Sequence, residues 1–213
     1  MLNKIALAGR FGLSLLLLLM IIVPGCSRRP QRVHPPTIDA DSAGKQAIQL
    51  FDTDGDGQLS RAELAACPGI LNSLSRFDKD NLDSVDADAI TARIREWQAT
   101  RIGIMTIQCR VTLDGVPLSG ANVKLIPETF LGDSIQPASG VSDTTGGCSP
   151  AIAVEDLPDS QQGLRGVQIG LYKAEITHPD RELPSWYNVE TELGCEIAPE
   201  MFMDGVVFAL SSR

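Results

Sequence analysis

Twelve residues constrain this 213-residue chain more than any other segment: Asp52-Thr53-Asp54-Gly55-Asp56-Gly57-Gln58-Leu59-Ser60-Arg61-Ala62-Glu63. Asp52, Asp54 and Asp56 present hard carboxylate oxygens at loop positions 1, 3 and 5. Gly57 at position 6 permits the sharp turn such a loop needs. Gln58 offers its backbone carbonyl, Ser60 a water-mediated contact, and Glu63 closes the shell with two oxygens. Leu59 points away from the carboxylates, toward a core. Without a cation, three aspartates and a glutamate in so small a loop repel one another. The competing reading is a solvated, Asx-rich turn.

The flanks suit a loop between helices. Ala43 to Phe51 carries Ala47, Ile48, Leu50 and Phe51 on one face. Ser60 and Glu63 have the spacing of a capping box, the helix they start runs to about Ala66, and Pro68-Gly69 ends it. A second copy starts at Asp78, 26 residues after Asp52. It keeps Asp78 and Asp80 at positions 1 and 3, has Leu82 at 5, Asp83 at 6 and Ala89 at 12. Losing the bidentate ligand predicts no tight site there. Val85 matches Leu59 at position 8, which predicts that the two loops pair as a short two-stranded contact. Ile70–Phe77 and Ala87–Trp97 are its expected helices, with Ile90, Ile94 and Trp97 as core. The segment 41–98 resembles the EF-hand superfamily. That resemblance implies one Ca2+ site, with Asp52, Asp54, Asp56, Gln58 and Glu63 as its ligands.

The first 25 residues have the order of a secretion signal. Lys4 and Arg10 form a basic region, and Phe11 to Val23 is uninterruptedly apolar. The uncharged stretch Phe11–Gly25 is 15 residues, short for a bilayer span of roughly 20. Val23-Pro24-Gly25-Cys26 resembles the bacterial lipoprotein cleavage box, which implies lipidation of Cys26. Plain secretion and an uncleaved anchor are the alternatives. Arg28, Arg29 and Arg32 follow in a proline-rich tether, placed to touch anionic head groups.

From about residue 104 the pattern changes to short β-branched, alternating runs. They are Ile104–Leu113, Ala121–Ile126, Ser139–Asp143, Cys148–Val154, Gly170–Thr177, Glu190–Ile197 and Gly205–Leu210. Asp114-Gly115, Ser119-Gly120, Gly146-Gly147, Pro158-Asp159 and Pro179-Asp180 punctuate them. Seven such strands predict a β-sandwich. Val111 to Val123, Gly140 to Gly146 and Gly170 to Ile176 resemble the carboxypeptidase-regulatory-like, or transthyretin-like, fold. The whole arrangement is similar to secreted planctomycete-type lipoproteins. The expected fold class is therefore α+β multidomain, a helical EF-hand pair followed by an all-β transthyretin-like sandwich. The expected boundaries are 1–25 signal peptide, 26–40 lipidated cysteine and tether, 41–98 EF-hand pair, 99–105 linker and 106–213 sandwich.

Charge narrows the function. The chain carries 18 basic and 27 acidic residues, and the leader takes two of the bases and no acid. An acidic mature body argues against nucleic-acid binding and suits a divalent-cation binder. The two histidines, His34 and His178, leave little for His-based catalysis, and no hydrolase signature or C-x-x-C is present. His178 reads as a loop residue. Cys67, Cys109, Cys148 and Cys195 are buried hydrophobes or disulfide partners, with a bridge inside the β region favoured over one to Cys67. These features predict a non-enzymatic, calcium-binding, lipid-anchored envelope protein, facing the periplasm or exterior. It would be a structural or binding module whose partner is a glycan or an envelope protein. The alternative is a carbohydrate- or cell-wall-binding protein that uses Trp186 and Tyr187 as a stacking platform, with calcium only structural.

Overall fold

The computed structural model describes residues 33–159, 161–201 and 205–212. The expected signal peptide, the lipidated Cys26 and the arginines of the tether lie outside these residues. The tether's far end is described. Pro36 and Ile38 are buried, and the Ile38 carbonyl accepts from Gln98 Nε2 at 2.7 Å.

Helix α1 spans Ala40–Phe51. The Asp39 carboxylate caps it by accepting from Ser42 N, and Asp52 terminates it. Its buried stripe is Ala40, Ala43, Gly44 and Ala47, while Leu50 is left exposed. Of the expected face, Ala47 is buried and Ile48 and Phe51 pack partly buried against the core, while Leu50 is not part of it. Small side chains win because α1 packs closely on helix α3 (Ala87–Thr100), and a Cβ on Gly44 would strike the Ala87 carbonyl. On α3, Ile90, Thr91, Ile94 and Trp97 are buried, and Asp86 caps the helix through Ala89 N at 2.8 Å. Strands β1 (Gln58–Ser60) and β2 (Ser84–Asp86) pair antiparallel with Leu59 opposite Val85, the register that aligning the two loops predicts. Between them lie a 3₁₀ turn at Glu63–Ala66, the four-residue helix α2 (Pro68–Leu71) and a 3₁₀ turn at Leu74–Arg76.

The rest is sheet. Strands β3 (Ile104–Met105) and β10 (Val167–Gln168) form one pair. A second sheet joins β13 (Val206–Leu210), β4 (Cys109–Leu113) and β5 (Val116–Pro117), with β8 (Gly147–Cys148) also on β4; β13 runs parallel to β4. The β4–β5 hairpin turns on Asp114 and Gly115, both at positive φ (52° and 79°), as a two-residue hairpin requires. The five-stranded sheet has the order β12 (Gly194–Ile197), β11 (Gly170–Thr177), β6 (Asn122–Pro127), β7 (Ala138–Val141), β9 (Ala151–Ile152). Alternation along β4, β6 and β13 turns one face inward.

This architecture corrects the expected fold class. Among the described residues there are thirteen strands and three α-helices, one of them a single turn, so the chain is β-rich rather than a helical pair followed by a separate sandwich. Residues 32–213 form one compact unit, and one apolar cluster runs from Ala43 and Leu59 through Tyr172 to Phe208. The physical reason lies in the link between the loops. Only fourteen residues separate Glu63 from Asp78. Pro68 opens α2 at its first position, but that helix already ends at Asn72, so the expected helix at Ile70–Phe77 is replaced by single turns.

Those turns dock on the sheet instead. Gly194 of β12 has no room for a Cβ because the Pro68-Gly69 backbone lies against it. Ser73 Oγ accepts from Glu196 N at 3.1 Å. The fully buried Glu196 carboxylate accepts from Arg93 Nε and Trp97 Nε1, both at 2.6 Å, and Arg93 also pairs with Glu200. Burial pushes the Glu128 carboxyl above its ordinary range, with Lys173 Nζ 4.0 Å from its Oε2. Among the described residues no helix is long and apolar enough to cross a membrane.

Candidate metal centre

The loop Asp52–Glu63 starts at the C-cap of α1 and ends in the 3₁₀ turn after β1. Gly55 and Gly57 take positive φ of 78° and 85°, so the chain folds back on itself twice within three residues. The backbone amides of the bend then point inward. Asp52 accepts from Gly55 N at 2.7 Å and Gly57 N at 2.9 Å; Asp54 accepts from Asp56 N, and Asp56 from Gln58 N.

Glu63 closes the loop from its far end. Its side chain is only 9% exposed. Oε1 accepts from Thr53 N at 2.7 Å and Thr53 Oγ1 at 2.9 Å, and Oε2 accepts from Ser60 N at 2.9 Å and Ser60 Oγ at 2.7 Å. Hydrogen bonds to the charged form, the Thr53 amide first and then Ser60, hold this carboxyl down at about 2. It is therefore a full anion at neutral pH. The capping-box pair of Ser60 and Glu63 is present, with Glu63 N at 3.4 Å from Ser60 Oγ.

Carboxylate oxygens of Asp52, Asp54 and Glu63 lie within 4.8 Å of one another. Asp56 is not among these clustered carboxylates. The Gln58 side chain accepts from Ser84 Oγ of the second loop, whereas the group expected at the ion is the Gln58 backbone carbonyl. Thr53 was not foreseen. It holds Glu63 in place, and a small hydroxyl at position 2 is the only signal it leaves in the sequence.

The donor set fits a hard divalent cation. Every converging group is an oxygen. The four hydrogen bonds from Thr53 and Ser60 fill the roughly four acceptor positions of the Glu63 carboxylate, so an ion bound there takes the place of the two hydroxyl donors, which are free to rotate away. The one base inside the loop, Arg61, is turned away to Asp83 Oδ1 at 2.7 Å. Among the described residues, no Lys or Arg ion-pairs with Asp52, Asp54, Asp56 or Glu63.

The other singled-out residues are placed differently. His178 follows β11, with Nδ1 accepting from Asp180 N at 3.1 Å and Nε2 2.9 Å from the Ser119 carbonyl. Trp186 is 40% exposed, but Tyr187 is buried, its hydroxyl accepting from Ser211 N. Their rings stand at 64°, so they offer one exposed face and not a shared platform. All four described cysteines are free and buried, and burial pushes the thiols up, Cys148 to about 11 and Cys195 to about 12.

Comparison with known proteins returned no match: no family model, no curated protein and no solved structure is significantly similar to this chain.

Proposed function

We propose that Asp52–Glu63 binds one calcium ion, and that the chain is a calcium-stabilised binding or structural module of a cell envelope, tethered by a lipid on Cys26. Its role is contact and support rather than catalysis. The observation that carries the metal reading is the convergence of Asp52, Asp54 and Glu63 oxygens within 4.8 Å, with no Lys or Arg among the described residues ion-paired to them. The tether and the envelope location rest on the leader sequence and on the acidic body that follows it. A single loop of this kind suits a weak extracellular site, with a dissociation constant on the order of 10⁻⁴ to 10⁻³ M. At millimolar calcium such a site is filled much of the time and acts as a clip rather than a switch.

Calcium titration calorimetry on the full chain in detergent micelles tests the reading, beside Glu63→Gln. One site in the wild type and none in the variant is the expected result. No heat from the wild type overturns it. Mass spectrometry of the membrane fraction tests the tether, which predicts an acylated Cys26 at the mature N-terminus.

A further inference from the structure

One short segment, leading from the end of β6 at Pro127 into a 3₁₀ turn at Thr129–Leu131, touches both flanks of the cation loop. On the entry side, Phe51 is the last residue of α1 and directly precedes Asp52. Its ring meets the ring of Phe130 edge-on, with centroids 6.3 Å apart and planes at 86°. On the exit side, the chain leaves Glu63 through one 3₁₀ turn and Cys67 and enters α2, where Gly69 N donates to Glu128 Oε1 at 2.9 Å. Glu128 is fully buried and Phe130 is 2% exposed. The segment is itself fixed to the sheet, because Glu128 N donates to the Leu171 carbonyl of β11 at 2.9 Å.

We propose that Glu128–Phe130 is a brace that sets the separation of the loop's two flanks and so raises its affinity for the cation. The inference rests on reading Asp52–Glu63 as a calcium loop. An ion there needs Asp52 and Asp54 from the entry side and Glu63 from the exit side at one point. If the flanks move freely, binding must order them and loses affinity by that cost. If the sheet already holds them, the cost is met on folding. Phe130 has a hydrocarbon side chain and offers an ion no ligand atom, so it is a positioning residue, and its effect passes through Phe51 to Asp52.

Calcium calorimetry on the full chain in micelles, at a temperature well below melting, separates this from a merely structural role. Phe130→Ala is expected to weaken calcium binding roughly 3- to 10-fold. Phe51→Leu and Phe130→Leu keep apolar bulk and remove the edge-on ring contact. Each alone is expected to weaken binding, and the double variant to weaken it little further, because both break one contact. Those two variants also serve if Phe130→Ala fails to fold. Wild-type affinity in folded Phe130→Ala, or in both leucine variants, overturns the brace while the calcium reading stands. No binding by the wild type overturns the calcium reading itself.

Discussion

Positions 4 and 6 sit at positive φ in both loops: Gly55 at 78° and Gly57 at 85° in the first, Asn81 at 57° and Asp83 at 56° in the second. Position 1 accepts two amides of the bend in each, Asp52 from Gly55 and Gly57, Asp78 from Leu82 and Asp83. Position 8 of one lies opposite position 8 of the other. The backbones therefore agree, and the side chains part company. Glu63 closes the first loop. Ala89 takes its place in the second, where Asp86 caps α3 and Asp83 binds Arg61. The shape of such a loop depends on Asx-type hydrogen bonds and strand pairing, which need no ion. Metal competence depends on a few carboxylates, and those are lost without losing the shape.

The strongest probe of that shared frame is its buried seam. Leu59 and Val85 are 0% and 2% exposed. Leu59→Ala is expected to cost about 2–5 kcal/mol in urea unfolding, and Val85→Ala about half as much for its smaller side chain. A silent Val85→Ala would show that the second loop is not tied into the core.

Metal comes next. Thermal melts in 10 mM calcium against chelator should differ by about 3–10 °C for a site of the expected class in a chain of this size. Glu63→Gln should erase that difference, and Asp80→Asn in the second loop should leave it intact. An equal loss in Asp80→Asn would mean that the second loop also carries metal.

Position 6 gives a smaller contrast. Nothing lies near a Cβ built on Gly57, so Gly57→Ala meets only the backbone cost of positive φ, about 1 kcal/mol. Asp83→Gly is expected to change stability by less than about 0.5 kcal/mol, because Asp tolerates that conformation and its pair with Arg61 is exposed. A large loss in Asp83→Gly would give that exposed pair more weight than its exposure suggests.

Acid separates the loops without metal. The Glu63 carboxyl lies at about 2 in the folded chain against an ordinary 4.5. Its stabilisation is complete above that ordinary value and is lost as pH falls toward the folded one. Urea midpoints between pH 6 and pH 2 should therefore drop less steeply in Glu63→Gln than in the wild type. Ala89 gives the second loop no counterpart. Parallel acid profiles would mean that the hydrogen bonds from Thr53 and Ser60 do not persist in solution.

Much of the local structure was legible because its causes are local. Most strands after residue 103 fall in the alternating runs, though β5 and β10 lie outside them, and the Asp114-Gly115 hairpin forms where two residues must take positive φ. The clustering of the first loop's carboxylates was readable because their spacing alone brings position 12 back over positions 1 and 3. Other features left no such trace. Glu196 sits in a strand whose residues 195–197 are all buried, which neither alternation nor composition announces. Glu128 looks like an ordinary acid at a strand end until Gly69 is found donating to it.

The loop, the turns, most of the strand segments and the pairing of Leu59 with Val85 follow from residue order alone, because each is set by contacts within a few residues or by matched loop positions. That these parts make one β-rich body is a result of their long-range packing. The fourteen residues after Glu63 are too short and too broken to cover α1 and α3 with helices of their own, so part of that task falls to β12 and the Phe130 turn. A chain can state its local conformations residue by residue. Which distant surface buries an apolar face depends on contacts across more than a hundred residues, such as Arg93 on Glu196 and Ser73 on Glu196 N, and no local pattern encodes those.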